Sequence, residues 1–261
     1  MHGEKFWDVL RGRGPLIATA IHDGHALRPE IAELTAVPDA RRRREEDPFT
    51  RQWTSIANTR IIPIYSRFQA DLNRPRELCV YRSREQAFGL QAWKQPLPDD
   101  VVRRSCQEYD AFYAMLRAEC DLKRDSVGRF VVLDLHSYNH RRDGPDCPAA
   151  DPARNPQINV GTGSLPPDRA RRRLVERLIE ALRRCTFHGE PLDVRENVRF
   201  RGGWMSQWVH QNYGEHGTAL AIEVKKFFMD EWTGQPDPSA LAELEIALGV
   251  GARAAEEVLY E

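Results

Sequence analysis

Phe130-Val131-Val132-Leu133-Asp134-Leu135-His136-Ser137-Tyr138 reads as a buried strand that ends in polar residues. Phe130 to Leu135 is almost continuously apolar, as a strand covered on both faces would be. Leu16 to Ile21 and Ala219 to Val224 have the same character, and Ile61 to Tyr65 is a fourth β-rich run. Longer helical patterns lie between these runs. Val101 to Cys120 sets Cys106, Tyr109, Tyr113, Leu116 and Cys120 on one stripe. Leu174, Val175, Leu178, Ile179 and Leu182 form another, behind Pro166-Pro167. Pro238 to Tyr260 reads as a final helix or helix pair, with a break expected at Gly249 and Gly251. Strands alternating with helices predict an α/β fold with a mainly parallel or mixed central sheet and helices on both faces. With no repeat and no low-complexity linker, residues 1–261 read as a single domain.

Ligands in open α/β sheets collect beyond the carboxyl ends of the strands. Here the first run leads into His22-Asp23-Gly24-His25, the third into His136-Ser137-Tyr138, and the last carries Glu223 near its end. A lone histidine at such a place is more often structural. Two at equivalent places, with acids nearby, favour a metal site, because imidazole is the commonest zinc ligand. A catalytic zinc takes three protein ligands and keeps one position open. His22 and His136 are two candidates. For the third, Glu46 is preferred from the run Glu45-Glu46-Asp47, with His25 and Asp47 as alternatives. Those acids precede a helix expected near Pro48, so a favourable interaction with its dipole is the competing explanation.

Glu223 interrupts an apolar strand, which is costly unless the carboxylate is paired or functional. Beside a metal it can act as general base toward water; a pair with Lys225 or Lys226 is the alternative. Asn73-Arg74 is suited to gripping a carboxylate, since a guanidinium forks onto two oxygens. Asp71 is placed to orient that arginine or a histidine. The loop Asn139 to Ser164 is long enough to be expected functional or disordered. Arg199 to Tyr213, with Arg201, Gly202 and Gly203, is expected to shape specificity.

Composition narrows the function classes. The chain has 261 residues, 41% hydrophobic and 30% charged, and 38 basic against 39 acidic side chains give a net charge of -1. That balance argues against a nucleic-acid-coating protein. The runs Arg41 to Arg44 and Arg171 to Arg173 read as solvated helix faces. No stretch approaches ~18 consecutive apolar residues, so no membrane span is expected. Met1 to Val9 lacks the character of a secretory signal, and five scattered cysteines suit reduced thiols, so a cytoplasmic location is expected.

Taken in order, His22-Asp-Gly-His25, Ser66-Arg67-Phe-Gln-Ala-Asp71-Leu-Asn73-Arg74-Pro75, Leu133-Asp-Leu-His136-Ser-Tyr138, Asn159-Val-Gly-Thr-Gly163, Phe200-Arg201-Gly-Gly203 and Ala221-Ile-Glu223 resemble the N-formylglutamate amidohydrolase family. The likeness spans roughly residues 15 to 235. That family is similar to zinc carboxypeptidases and the aspartoacylase group, so the resemblance implies a zinc-carboxypeptidase-like fold and one Zn2+ ion. It further implies a glutamate base matched by Glu223, substrate-carboxylate binding matched by Asn73 and Arg74, with Arg67 and Arg201 as further substrate-binding candidates, and metal ligation by His22, His136 and a third residue. The family's acid three residues after its first histidine is His25 here. The implied activity is metal-dependent hydrolysis of the amide of an N-formyl or other N-acyl amino acid such as N-formylglutamate. A carboxypeptidase-like peptidase and a catalytically silent binder of acidic metabolites are the alternatives. The expected partner is a small carboxylate-bearing substrate, with neither nucleic acid nor membrane.

Overall fold

The apolar runs become the middle of a seven-stranded sheet in the computed structural model, which describes residues 5–261. The strands are β1 (Trp7–Leu10), β2 (Leu16–Thr19), β3 (Thr59–Pro63), β4 (Phe130–Tyr138), β5 (Ile158–Gly161), β6 (Thr186–Phe187), β7 (Glu190–Pro191), β8 (Val194–Glu196) and β9 (Gly217–Lys225). The helices are α1 (Pro29–Leu34), α2 (Asp39–Glu45), α3 (Thr50–Trp53), α4 (Asp99–Val127), α5 (Arg169–Arg183), α6 (Trp204–Tyr213) and α7 (Pro238–Leu259). The sheet runs β1-β3-β2-β4-β9-β5-β8, while β6 and β7 pair separately. β3, β2, β4 and β9 are parallel neighbours; β1 joins β3 and β5 joins β9 antiparallel. The expected mixed α/β architecture is therefore present.

Alternation along the strands explains the two layers of helix, because successive side chains leave opposite faces. Val131, Leu133 and Leu135 pack with α5 and α7, whose contributions include Leu178, Leu182, Leu244 and Leu248. Phe130 and Val132 pack on the other face with Tyr109, Phe112 and Leu116 of α4 and Met205 and Val209 of α6. Every residue of β4 is buried, which is why its sequence carries no polar alternation until the site is reached.

Several local expectations change. β4 continues through His136 to Tyr138, so His136 lies within the strand rather than after it. The expected loop from Asn139 to Ser164 contains β5, which lies along β9 with Asn159 opposite Glu223. The C-terminal segment is one unbroken helix, α7. Gly251 does not end it; a Cβ there would come within 2.9 Å of Leu182 Cγ, so the missing side chain lets α5 approach. The acids Glu45-Glu46-Asp47 close α2 rather than open a helix, and α3 begins only at Thr50. Two of the arginines expected on a solvated face, Arg42 and Arg44, are buried, with Arg42 ion-paired to Glu46 and Arg44 to Glu45 and Glu231. Arg171 is likewise buried against the backbone carbonyls of Gly214 and Gly217. Among the described residues the cysteines are free, and no helix is long and apolar enough to cross a membrane.

Candidate active site

The parallel strands β2, β4 and β9 deliver their ends to one place. The chain turns after β2, with the Asp23 amide donating to Ala20 O at 3.2 Å, and this leaves His22 pointing back toward β4. The rings of His22 and His136 lie 4.8 Å apart, centroid to centroid. Asp47 completes the group, its backbone N–H donating to His22 O at 3.0 Å. One donor atom from each of His22, Asp47 and His136 lies within 4.8 Å of the others, and all three residues are buried.

Both imidazoles are held from behind by carboxylates. His22 Nε2 is 2.8 Å from Asp71 Oδ1, and His136 Nε2 is 2.8 Å from Asp134 Oδ2. Protons on the two Nε2 atoms leave Nδ1 as the donor atom facing inward in each ring, the usual way a second carboxylate orients a ligating histidine. Those Nδ1 atoms approach Asp47 Oδ2 at 3.4 Å from His22 and 3.0 Å from His136. His22 Nδ1 is buried without a hydrogen-bond partner. Two nitrogen lone pairs and a carboxylate oxygen directed at one point repel one another unless a positive charge lies among them. The protonation pattern says the same: burial alone would lower the His136 pKa, yet Asp134, Glu223 and Asp47 outweigh it and raise it well above the ordinary value. Burial would raise the Asp47 carboxyl, but the two imidazoles hold it far below the usual range. A buried nitrogen, nitrogen and oxygen set that attracts positive charge fits a divalent ion such as zinc.

The orienting carboxylates are themselves fixed. Asp71 Oδ2 accepts from Tyr81 Oη at 2.6 Å and Arg67 Nη2 at 2.9 Å, and Arg74 Nε lies 3.2 Å away. Asp134 Oδ1 accepts from Thr19 Oγ1 at 2.6 Å. Asp134 was not among the residues singled out from sequence. Its signal was its spacing: two residues before His136 in a strand, it shares the histidine's face.

Glu46 and His25, the other candidates for third donor, lie outside this group. His25 Nδ1 and Glu46 Oε2 are 2.5 Å apart, and Glu46 Oε1 accepts from Arg42 and Ser66. Each candidate satisfies the other, so neither faces the two histidines. The structure puts Asp47 there in place of Glu46.

Glu223 is paired in register with His136 across β4 and β9. Among the described residues no lysine pairs with it: Lys225 Nζ donates to Asn155 O at 3.0 Å, and Lys226 Nζ donates to Arg44 O and Glu46 O. Loss of hydration pushes the Glu223 carboxyl up to about 7; the pull of His136 is opposed by repulsion from Asp47 and Asp134. The side chain nevertheless keeps some solvent access. A carboxylate raised by burial beside the His22, Asp47 and His136 group is a candidate for exchanging protons with water.

Residues 14–229 match the N-formylglutamate amidohydrolase family. The chain belongs to that family. A solved N-formylglutamate amidohydrolase from Ralstonia eutropha JMP134 aligns over 97% of this chain and 98% of its own, at 18% identity and a TM-score of 0.75. The gene product Atu2144 from Agrobacterium tumefaciens aligns over 98% of this chain and 96% of its own, at 16% identity and a TM-score of 0.66. These two likenesses show a shared fold. No curated protein matches the sequence.

The remaining candidates in this amidohydrolase fold divide. Asn73 Nδ2 is 3.4 Å from His136 Nε2, while its Oδ1 accepts the Met205 amide at 3.0 Å, so it joins the site to the start of α6. Gly203 makes that junction possible, since a Cβ there would overlap the Asn73 amide. Arg74 is more committed than expected: besides Asp71 it donates to Gln86 O at 2.6 Å and stacks on Tyr81 at 4.6 Å. Arg67 also donates to Tyr81 Oη, at 3.0 Å. Arg201 is exposed, beside Gly163 and along a cavity of about 550 Å³ shared with Ser164, Gln207 and His210. Asn159, opposite Glu223, accepts the amides of Val198, Arg199 and Phe200 on one oxygen and so shapes the segment that ends in Gly203.

Proposed function

We propose that this protein is a zinc-dependent amidohydrolase acting on an N-formyl or other short N-acyl amino acid, N-formylglutamate being the first to test. The observation that carries the reading is the buried, unpartnered Nδ1 of His22 facing Asp47 and His136, with Glu223 next to His136 across the strand pair. His22, Asp47 and His136 would hold the ion. When bound, the ion supplies Lewis acidity, acidifying a water and polarising an amide carbonyl.

The protein's own groups supply the rest. Glu223 takes the proton of the attacking water and delivers it to the leaving nitrogen, a role open to a carboxylate with no lysine partner beside His136 across the strand pair. Asp71 and Asp134 keep the two imidazoles in the tautomer that presents Nδ1. Asn73 and Arg74 receive the substrate carboxylate, with Arg67 and Arg201 as further cations, so that the amide is held against the water. Because Arg74 also braces Asp71, Arg74→Ala is expected to raise KM several-fold for N-formylglutamate and to lower kcat less. Steady-state kinetics on N-formylglutamate and on a carboxylate-free formamide checks this; equal losses on both would remove the anchoring role.

A hydrolysis screen of N-formyl, N-acetyl and N-succinyl amino acids, read as free amine released, tests the substrate class. Turnover concentrated on the N-formyl acids is the expected outcome. Release of C-terminal residues from peptides, with no turnover of the acyl amino acids, would overturn it.

A further inference from the structure

Asp47 owes its aim to a short stretch of backbone, and that stretch is held by a buried lysine. Lys226 lies one residue beyond β9 and is only 1% exposed. Its Nζ donates to Arg44 O and to Glu46 O, each at 2.7 Å. Both carbonyls belong to the end of α2 and the turn after it, where the last carbonyls of a helix have no intrahelical amide to accept from. A cation near a helix C-terminus satisfies them and suits the dipole. The Lys226 ammonium does so from another part of the fold.

The second of these bonds bears on the site. Glu46 O and the Asp47 N–H belong to the same peptide group. Its oxygen is held by Lys226 and its N–H by His22 O at 3.0 Å. With both ends of one rigid plane fixed, the chain enters Asp47 in a single direction, and the carboxylate is carried toward His22 and His136. Asn139 Nδ2 reinforces the hold at Arg44 O, 2.9 Å away, and the Lys226 amide itself donates to Tyr138 O at 3.0 Å. The segment before Asp47 is therefore tied to the ends of β2, β4 and β9 together. Burial of an ammonium is costly unless its protons are taken up. Here the two carbonyls do this, and the carboxylates of Asp47, Glu45 and Glu231 oppose the fall in its pKa that burial causes.

We infer that Lys226 is a positioning residue for the metal centre: it ties the strand that bears Glu223 to the peptide that aims Asp47, and so sets metal affinity without touching the ion. The inference rests on the metal reading above. Metal-stripped protein titrated with Zn2+ against a chromophoric chelator tests it, with circular dichroism and thermal melting of the metal-free forms alongside. Lys226→Met is expected to fold and to bind Zn2+ 10–100-fold more weakly, the range for losing a partner that orients a ligand. Lys226→Arg, which keeps donors and charge, should recover part of the loss. A folded Lys226→Met that binds Zn2+ within about threefold of the parent would overturn the inference. If Lys226→Met does not fold, Lys226→Gln carries the test, with an intermediate loss expected and parental affinity contradicting. The parent and Asp47→Asn separate the two failures. A parent without Zn2+ affinity removes the metal reading itself, whereas a weak Asp47→Asn beside a parental Lys226→Met removes the positioning role alone.

Discussion

Glu223→Gln is expected to keep metal affinity and lose about a hundredfold or more in kcat, since a positioned general base contributes on that order. A hundredfold is about 2.7 kcal/mol of barrier. The amide side chain has nearly the same shape, so packing in β9 against β4 should be preserved, and Glu223 has no lysine partner whose loss would confuse the result. What disappears is the site that accepts a proton. Metal affinity and kcat measured on the same preparation separate the two effects. A glutamine variant that turns over like the parent would mean that another group is the base.

The second large effect concerns Asp47. Asp47→Asn replaces the carboxylate between the two imidazoles with a neutral amide, and Zn2+ affinity should fall by at least about a hundredfold, more than the 10–100-fold typical of an orienting partner. Glu46→Gln is the informative companion. Its side chain bonds to Arg42, Ser66 and His25 and not to the histidine pair, so its Zn2+ affinity should stay within about tenfold of the parent. Equilibrium titration of both variants decides between neighbouring acids. The opposite ranking would return Glu46 to the ligand set.

The contrast between these two residues also shows what the sequence conveys. The sheet was legible because β2, β4 and β9 are buried on both faces and must be apolar along their length. His22, His136 and Glu223 stood out because each breaks or ends such a run. The choice among Glu45, Glu46 and Asp47 was not legible, because it depends on how α2 ends and on which peptide groups Lys226 and His22 hold. Those are contacts between residues far apart in the chain. Arg44 misled for a similar reason, since a run of arginines looks solvated until a distant buried acid, Glu231, is brought to it. Arg42, by contrast, pairs with Glu46 only four residues on, and what the sequence hid was that both are buried. Gly251 misled in the opposite sense, since its role is to admit Leu182 and not to stop a helix. β5 was hidden inside a polar stretch because only four residues, Ile158–Gly161, pair with the sheet. Asp134 was the one orienting carboxylate that spacing alone could have revealed.

The proposed chemistry depends on His22, Asp47 and His136 holding a catalytic ion. The most direct measurement is metal content of the purified protein together with formate release from N-formylglutamate before and after chelation. One zinc per chain, activity lost on its removal and recovered on its return, is the predicted result. Undiminished formate release by protein shown to be free of metal would mean that hydrolysis needs no ion at these three residues.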